Sequence, residues 1–149
     1  MEARVVWQDG MTFEAGLDGH SFLIDAKEEV GGRNKGPTPK GLTLVSLAGC
    51  TAMDVISILE KMRQEVDSFE VVTEARVADE HPKKILEIVI KYILTGRKLD
   101  REKVMRAVEL SEATYCGVSA TLRPGVKMSS EIYVNGEKIS DGRRPDQAG

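Results

Sequence analysis

The feature that most restricts this chain is a mostly apolar stretch at residues 42–59, followed by the charged tail Glu60-Lys61-Met62-Arg63-Gln64-Glu65. A run of that length invites a membrane-spanning reading. Against it stand Asp54 and the hydroxyls of Thr43, Ser46, Thr51 and Ser57. A helix that is apolar on most sides belongs at the centre of a fold or at an obligate interface between copies. The reading is a long buried central helix. Thr38 before Pro39 supplies its start: an N-cap hydroxyl, then proline at a position whose N–H would be orphaned anyway. Gly49 inside the run predicts a kink or a close approach at Gly49-Cys50, since glycine costs about 1 kcal/mol there relative to alanine.

The rest of the chain must cover that helix, and its patterning is mostly strand-like. Residues 4–7, 11–17 and 20–25 are short apolar-rich runs separated by Asp9-Gly10 and Asp18-Gly19, dipeptides that suit tight hairpins because glycine tolerates positive φ. They predict a three-stranded meander. Residues 28–39 carry Gly31-Gly32-Arg33-Asn34-Lys35-Gly36-Pro37 and no periodicity, hence a loop. Strands are predicted at 69–77 and 85–94, joined by a polar loop. A helix capped by Asp100 is predicted over 101–115, with Val104, Ala107, Val108 and Ser111 on one face, then a last strand at 126–134 turning at Asn135-Gly136. The order βββ-α-ββ-α-β is an α+β pattern. It predicts one domain over residues 1–140 and a disordered tail at 141–149.

Composition enters as a filter. The 149 residues carry 21 Lys+Arg against 24 Asp+Glu, a formal net charge of −3. That balance gives no electrostatic reason to bind nucleic acid or anionic lipid. With no basic n-region and apolar h-region at the start, the expectation is a soluble cytoplasmic protein with no nucleic-acid or membrane partner. Two cysteines are too few for a disulfide scaffold or a zinc site made of thiolates alone. His20 and His81 lie beside turns, with no spacing that joins them to the cysteines as metal ligands.

Cys50 and Cys116 therefore carry the chemical question. A free cysteine is usually a buried small hydrophobe. The other reading is a redox pair, which needs one thiol with thiolate character and a second within reach. Sequence leaves both open. Asp54 lies at i+4 from Cys50, on the same helical face. It is a candidate to accept a hydrogen bond from a thiol or to orient an arginine, although alone it would raise the thiol pKa. Arg33 in the glycine-rich loop is a candidate positive charge.

Gly36-Pro37-Thr38-Pro39, the helix with Leu47-Ala48-Gly49-Cys50-Thr51, and Tyr115-Cys116-Gly117-Val118-Ser119 together resemble the OsmC/Ohr family, the osmotically induced and organic hydroperoxide resistance proteins. The resemblance covers nearly the whole chain. It implies an OsmC-like fold, an intertwined homodimer with sites at the subunit interface, and a thiol peroxidase in oxidative-stress defence. Cys50 would attack an organic hydroperoxide, or hydrogen peroxide, and become a sulfenic acid. Cys116 would resolve it to a disulfide, and a dithiol or lipoylated protein would restore both thiols. No cofactor, metal or flavin is implied. The chain departs from the family at three places. Lys40 stands where the family's arginine-bracing glutamate belongs, Trp7-Gln8-Asp9-Gly10 offers no arginine, and Cys116-Gly117 replaces Cys-Pro. Lys40 and Arg33 are the candidates to replace the missing charge, in a divergent OsmC-like branch. The alternative function is a redox sensor or a small apolar-ligand-binding protein on the same fold.

Overall fold

A computed structural model of the chain describes residues 1–140; the tail expected at 141–149 lies outside the described residues. The chain divides into two compact units, Met1–Thr43 and Leu44–Gly149.

The first unit is the predicted meander. Strands β1 (Ala3–Asp9), β2 (Thr12–Leu17) and β3 (His20–Ile24) form an antiparallel sheet in that order. The β2–β3 turn has positive φ at both Asp18 and Gly19, the geometry that matches the twist of the flanking strands. β1 is exposed along its whole length, and Trp7, Val5, Phe22 and Leu23 all face solvent.

The loop after β3 holds its shape through one carboxylate. Asp25 is buried and accepts the backbone N–H groups of Ala26 (2.8 Å), Arg33 (2.9 Å) and Lys35 (3.1 Å). These bonds to the charged form hold its carboxyl below the usual range, the Arg33 amide contributing most. Gly32 and Gly36 let the loop pass against the carbonyls of Ala26 and Leu23, where any side chain would collide. A single 3-10 turn, Glu28–Val30, interrupts a segment whose composition predicted only loop.

The second unit is built on a four-stranded sheet in the order β4 (Ser68–Val77), β5 (Ile85–Thr95), β6 (Lys127–Val134), β7 (Glu137–Ser140). β5 and β6 are parallel, so the chain must cross over between them. The crossover comprises α2 (Arg101–Leu110), a π-helical turn (Ser111–Tyr115) and α3 (Gly117–Leu122). β5 alternates cleanly: Ile88, Ile90, Tyr92 and Leu94 point into the core with Met128, Ile132 and Val134 of β6. Val104, Ala107 and Val108 of α2 close it, as the predicted face requires. Asp100 caps α2, accepting from the amides of Glu102 and Lys103.

The apolar run forms one continuous helix, α1 (Pro39–Lys61), with Thr38 Oγ1 accepting the Gly41 amide at its start. Its length and composition would suffice to cross a membrane. Within this chain, however, Leu47, Thr51, Val55 and Leu59 form a single buried stripe, recurring at the four-residue spacing of one helical face. The opposite stripe stays open: Val45 is 63% and Met53 73% exposed. Among the described residues, nothing beyond its neighbours and the helix's own backbone lies within 4 Å of a Cβ placed on Gly49, so the expected close approach is not made among them. Two further elements, α3 and β7, escaped prediction. α3 was hidden by its glycine start and short length, and β7 by having only four residues beyond the predicted Asn135-Gly136 turn.

Asp25 yields a sign-definite prediction. Its folded pKa is depressed, so its stabilisation is present above the unfolded carboxyl value and vanishes as pH falls through the folded one. Asp25→Asn should therefore melt below the parent at neutral pH, and the gap should narrow in strong acid. Equal melting temperatures at neutral pH would contradict this reading of the loop.

Candidate active site

The two cysteines, distant in sequence, meet within the second unit. Both are free thiols. The Sγ atoms of Cys50 and Cys116 and a carboxylate oxygen of Asp54 all lie within 4.8 Å of one another. Cys50 and Asp54 come from one face of α1, as their i, i+4 spacing requires. Cys116 comes from the junction between the π-turn and α3. Its amide donates to the Ser111 carbonyl (2.8 Å), an i to i−5 bond, and its Sγ accepts the Ser119 amide at 3.4 Å as the N-cap of α3. The π-turn delays the chain by part of a residue, and that delay delivers Cys116 to α1.

The two thiols are not equivalent. Cys50 is half-buried, while Cys116 is buried. Burial pushes the Cys116 thiol up; hydrogen bonding from Ser119 opposes the rise, and the neighbouring Cys50 sulfur adds to it.

Behind the sulfurs lies a chain of buried polar groups. Thr51 Oγ1 contacts Tyr92 Oη and Ser111 Oγ, each at 2.8 Å. Ser111 reaches Asp54 Oδ2 at 3.0 Å, and Tyr92 reaches Glu112 Oε1 at 3.1 Å. Arg123, at the end of α3, donates through Nη2 to the Glu112 carbonyl. Deep burial, and then Glu112, push the Tyr92 phenol far above its ordinary value, so it stays protonated.

Asp54 also borders a cavity of about 370 Å³ lined by Ser57, Ile58, Lys61, Met62, Leu110 and Tyr115. The site thus opens onto a largely apolar recess.

Of the residues singled out from sequence, Cys50, Cys116 and Asp54 are assembled. Arg33 instead pairs with Asp9 in the first unit, at 2.6 Å with both side chains 59% exposed. Lys40 stands in the first turn of α1. Thr51, Tyr92, Ser111, Glu112 and Arg123 were not singled out as site residues. Two carried a signal: Thr51 is a hydroxyl inside the apolar run, and Ser111 continues the apolar face of α2. The thiol–carboxylate trio also has the spacing of metal donors.

Comparison with known proteins identifies the family. The family profile described as OsmC-like protein matches residues 32–131, spanning both cysteines. The chain belongs to the OsmC-like family. This OsmC-like chain is 38% identical over 135 residues to Protein YhfA of Escherichia coli (strain K12), covering 90% of this chain and 98% of YhfA. A crystal structure of a hypothetical protein from Aquifex aeolicus VF5 superposes with a TM-score of 0.76 at 31% identity, covering 90% of this chain and 96% of that one. An organic hydroperoxide resistance protein OsmC from Legionella pneumophila superposes at 0.68 with 17% identity, over 89% and 96% of the two chains. The last likeness establishes the fold alone. The α+β fold expected from the sequence is thus that of the OsmC-like proteins.

The polar chain should be measurable in stability. Ser111 is fully buried and bonds both Thr51 and Asp54. Ser111→Ala strands two partners and should cost about 1–3 kcal/mol in urea unfolding. A loss under about 0.3 kcal/mol, the scale of an ordinary surface substitution, would show that these contacts do not hold the site.

Proposed function

We propose that this OsmC-like protein is a thiol peroxidase that reduces organic hydroperoxides through Cys50 and Cys116. One observation carries the proposal: two free thiols within 4.8 Å of each other, one half-buried and one buried. The accessible Cys50 attacks the peroxide as thiolate, breaking the O–O bond. The alcohol departs and Cys50 becomes a sulfenic acid. Cys116, screened from peroxide by burial, is suited to the second step, in which it displaces water to form the disulfide. An external dithiol, such as a lipoylated protein, then restores both thiols by exchange. The apolar recess beside Asp54 suits the organic part of a hydroperoxide better than hydrogen peroxide, which has no apolar group to bury. Oxidative-stress defence is the role such an activity serves.

The proposal includes a homodimer. Val45 and Met53 are exposed on one stripe of α1, with Gly49 between them and open space over it. A solvated helix face of that character calls for a covering partner, and a second copy of α1 presents the same stripe. β1, exposed throughout, and β3, exposed in all but one residue, offer further apolar surface for an intertwined arrangement.

Turnover of tert-butyl hydroperoxide with dihydrolipoamide tests the chemistry. The parent should cycle, Cys50→Ser should fall to the uncatalysed rate, and Cys116→Ser should accumulate a Cys50 sulfenic acid that dimedone captures. Equal rates for the parent and Cys50→Ser would remove Cys50 from the mechanism. A reversible disulfide without turnover would instead favour a redox sensor. For assembly, Met53→Glu should convert a dimer to a folded monomer in sedimentation. A parent that sediments as a 16.4 kDa monomer would refute the dimer.

A further inference from the structure

The buried polar chain holds more contacts than its hydroxyls can bridge. Five oxygens stand in line: Asp54 Oδ2, Ser111 Oγ, Thr51 Oγ1, Tyr92 Oη and Glu112 Oε1, separated by 3.0, 2.8, 2.8 and 3.1 Å. Each of these four links needs one hydrogen. Three hydroxyls supply three, and an ionised carboxylate supplies none. With both carboxylates ionised, one pair of oxygens would face each other lone pair to lone pair. Thr51, Ser111 and Tyr92 are fully buried, so water cannot easily repair the gap. Leaving such a group unsatisfied is costly, and the low local dielectric makes it more so.

We propose that Asp54 and Glu112 share a fourth proton through this hydroxyl chain, which makes Asp54 a proton donor beside the thiol pair. Two arrangements satisfy every link. With Glu112 protonated, all hydroxyls point towards Asp54; with Asp54 protonated, all point towards Glu112. Moving each hydrogen across its link converts one into the other and carries a net proton between the ends. Glu112 is only 8% exposed, and Arg123 anchors its guanidinium on the Glu112 carbonyl.

Its use rests on the thiol mechanism proposed above. When the Cys116 thiol condenses with the Cys50 sulfenic acid, an S–S bond forms and the S–O bond breaks. The departing hydroxide takes a proton from Asp54 and leaves as water. The proton released by Cys116 restores the chain, so the step is balanced with no net proton change. Ser111, Thr51, Tyr92 and Glu112 act through Asp54 and are positioning residues.

Carbon-13 NMR of the side-chain carboxyls in the reduced protein, without peroxide, tests the proton directly. Asp54→Asn and Glu112→Gln assign the two signals. At neutral pH the pair should jointly retain one proton. Thr51→Val splits the chain into two pairs, each with one link and one hydrogen, so both carboxyls should then ionise. Tyr92→Phe should do the same and serves if the valine variant fails to fold. Two ionised carboxyls in the parent, or a proton that survives a folded variant of either kind, would overturn the proposal. After a pulse of peroxide, disulfide formation in a folded break variant should slow about 100-fold or more, the scale of a lost general acid. Unchanged disulfide formation would overturn the donor role. The NMR result does not depend on peroxide: a protein that holds the proton without reducing peroxide refutes the peroxidase reading alone. One that cycles with both carboxyls ionised refutes the relay alone.

Discussion

The Thr51 hydroxyl is the point on which the site depends. It lies within the apolar stripe of α1 and is fully buried, so it must find partners inside the protein. It finds Tyr92 on β5 and Ser111 at the end of α2, both at 2.8 Å. Apolar side chains would accept a small slide or rotation of α1 over the sheet with little change in energy. A hydroxyl held from two sides does not. Fixing Thr51 fixes its neighbour Cys50 and, one turn on, Asp54. The same Ser111 that fixes Thr51 also binds Asp54, and its carbonyl receives the amide of Cys116. One buried contact thus sets all three groups of the site.

The π-turn at Ser111–Tyr115 is the second half of that arrangement. A regular helix would continue the α2 pattern past Leu110. The wider turn instead places Ser111 and Glu112 in the interior and leaves Cys116 extended, free to cap α3. Irregular helical turns of this kind are concentrated at functional sites, where they re-aim side chains at some cost in stability. The consequence here is chemical asymmetry. Cys50 sits mid-helix and half-buried, whereas Cys116 is enclosed and held towards its thiol form. In the proposed mechanism one sulfur must meet peroxide and the other must wait for a sulfenic acid.

Local patterning made much of this legible. The Asp-Gly hairpins, the β5 alternation and the Thr38 and Asp100 caps depend on a few neighbouring residues and emerged where expected. The i, i+4 relation of Cys50 and Asp54 is likewise a property of one helix. The approach of Cys116 is not: it depends on the parallel β5–β6 crossover and on a change of helical register that no residue pattern announces. Tyr92 and Glu112 were hidden for the same reason, and Thr51 and Ser111 showed only as hydroxyls within apolar patterns. Each is an ordinary residue in its own element, and only the tertiary fold makes them one chain. The central helix was expected to be apolar on most sides and buried. Within one chain only its Leu47, Thr51, Val55 and Leu59 stripe is buried, and Val45 and Met53 stay exposed. The family's arginine–glutamate brace has no counterpart at the positions where sequence comparison seeks it. At the other end of the polar chain Arg123 donates to the main-chain carbonyl of Glu112, a contact that the order of residues along the chain does not reveal.

The central claim is that Cys50 and Cys116 are two halves of one redox centre. Intact-mass and peptide mapping of the reduced protein, after one equivalent of an organic hydroperoxide, tests it most directly. The account predicts loss of two hydrogens and a single crosslinked peptide joining Cys50 to Cys116. Recovery of both cysteines as free thiols, or of Cys50 over-oxidised beside an untouched Cys116, would contradict it.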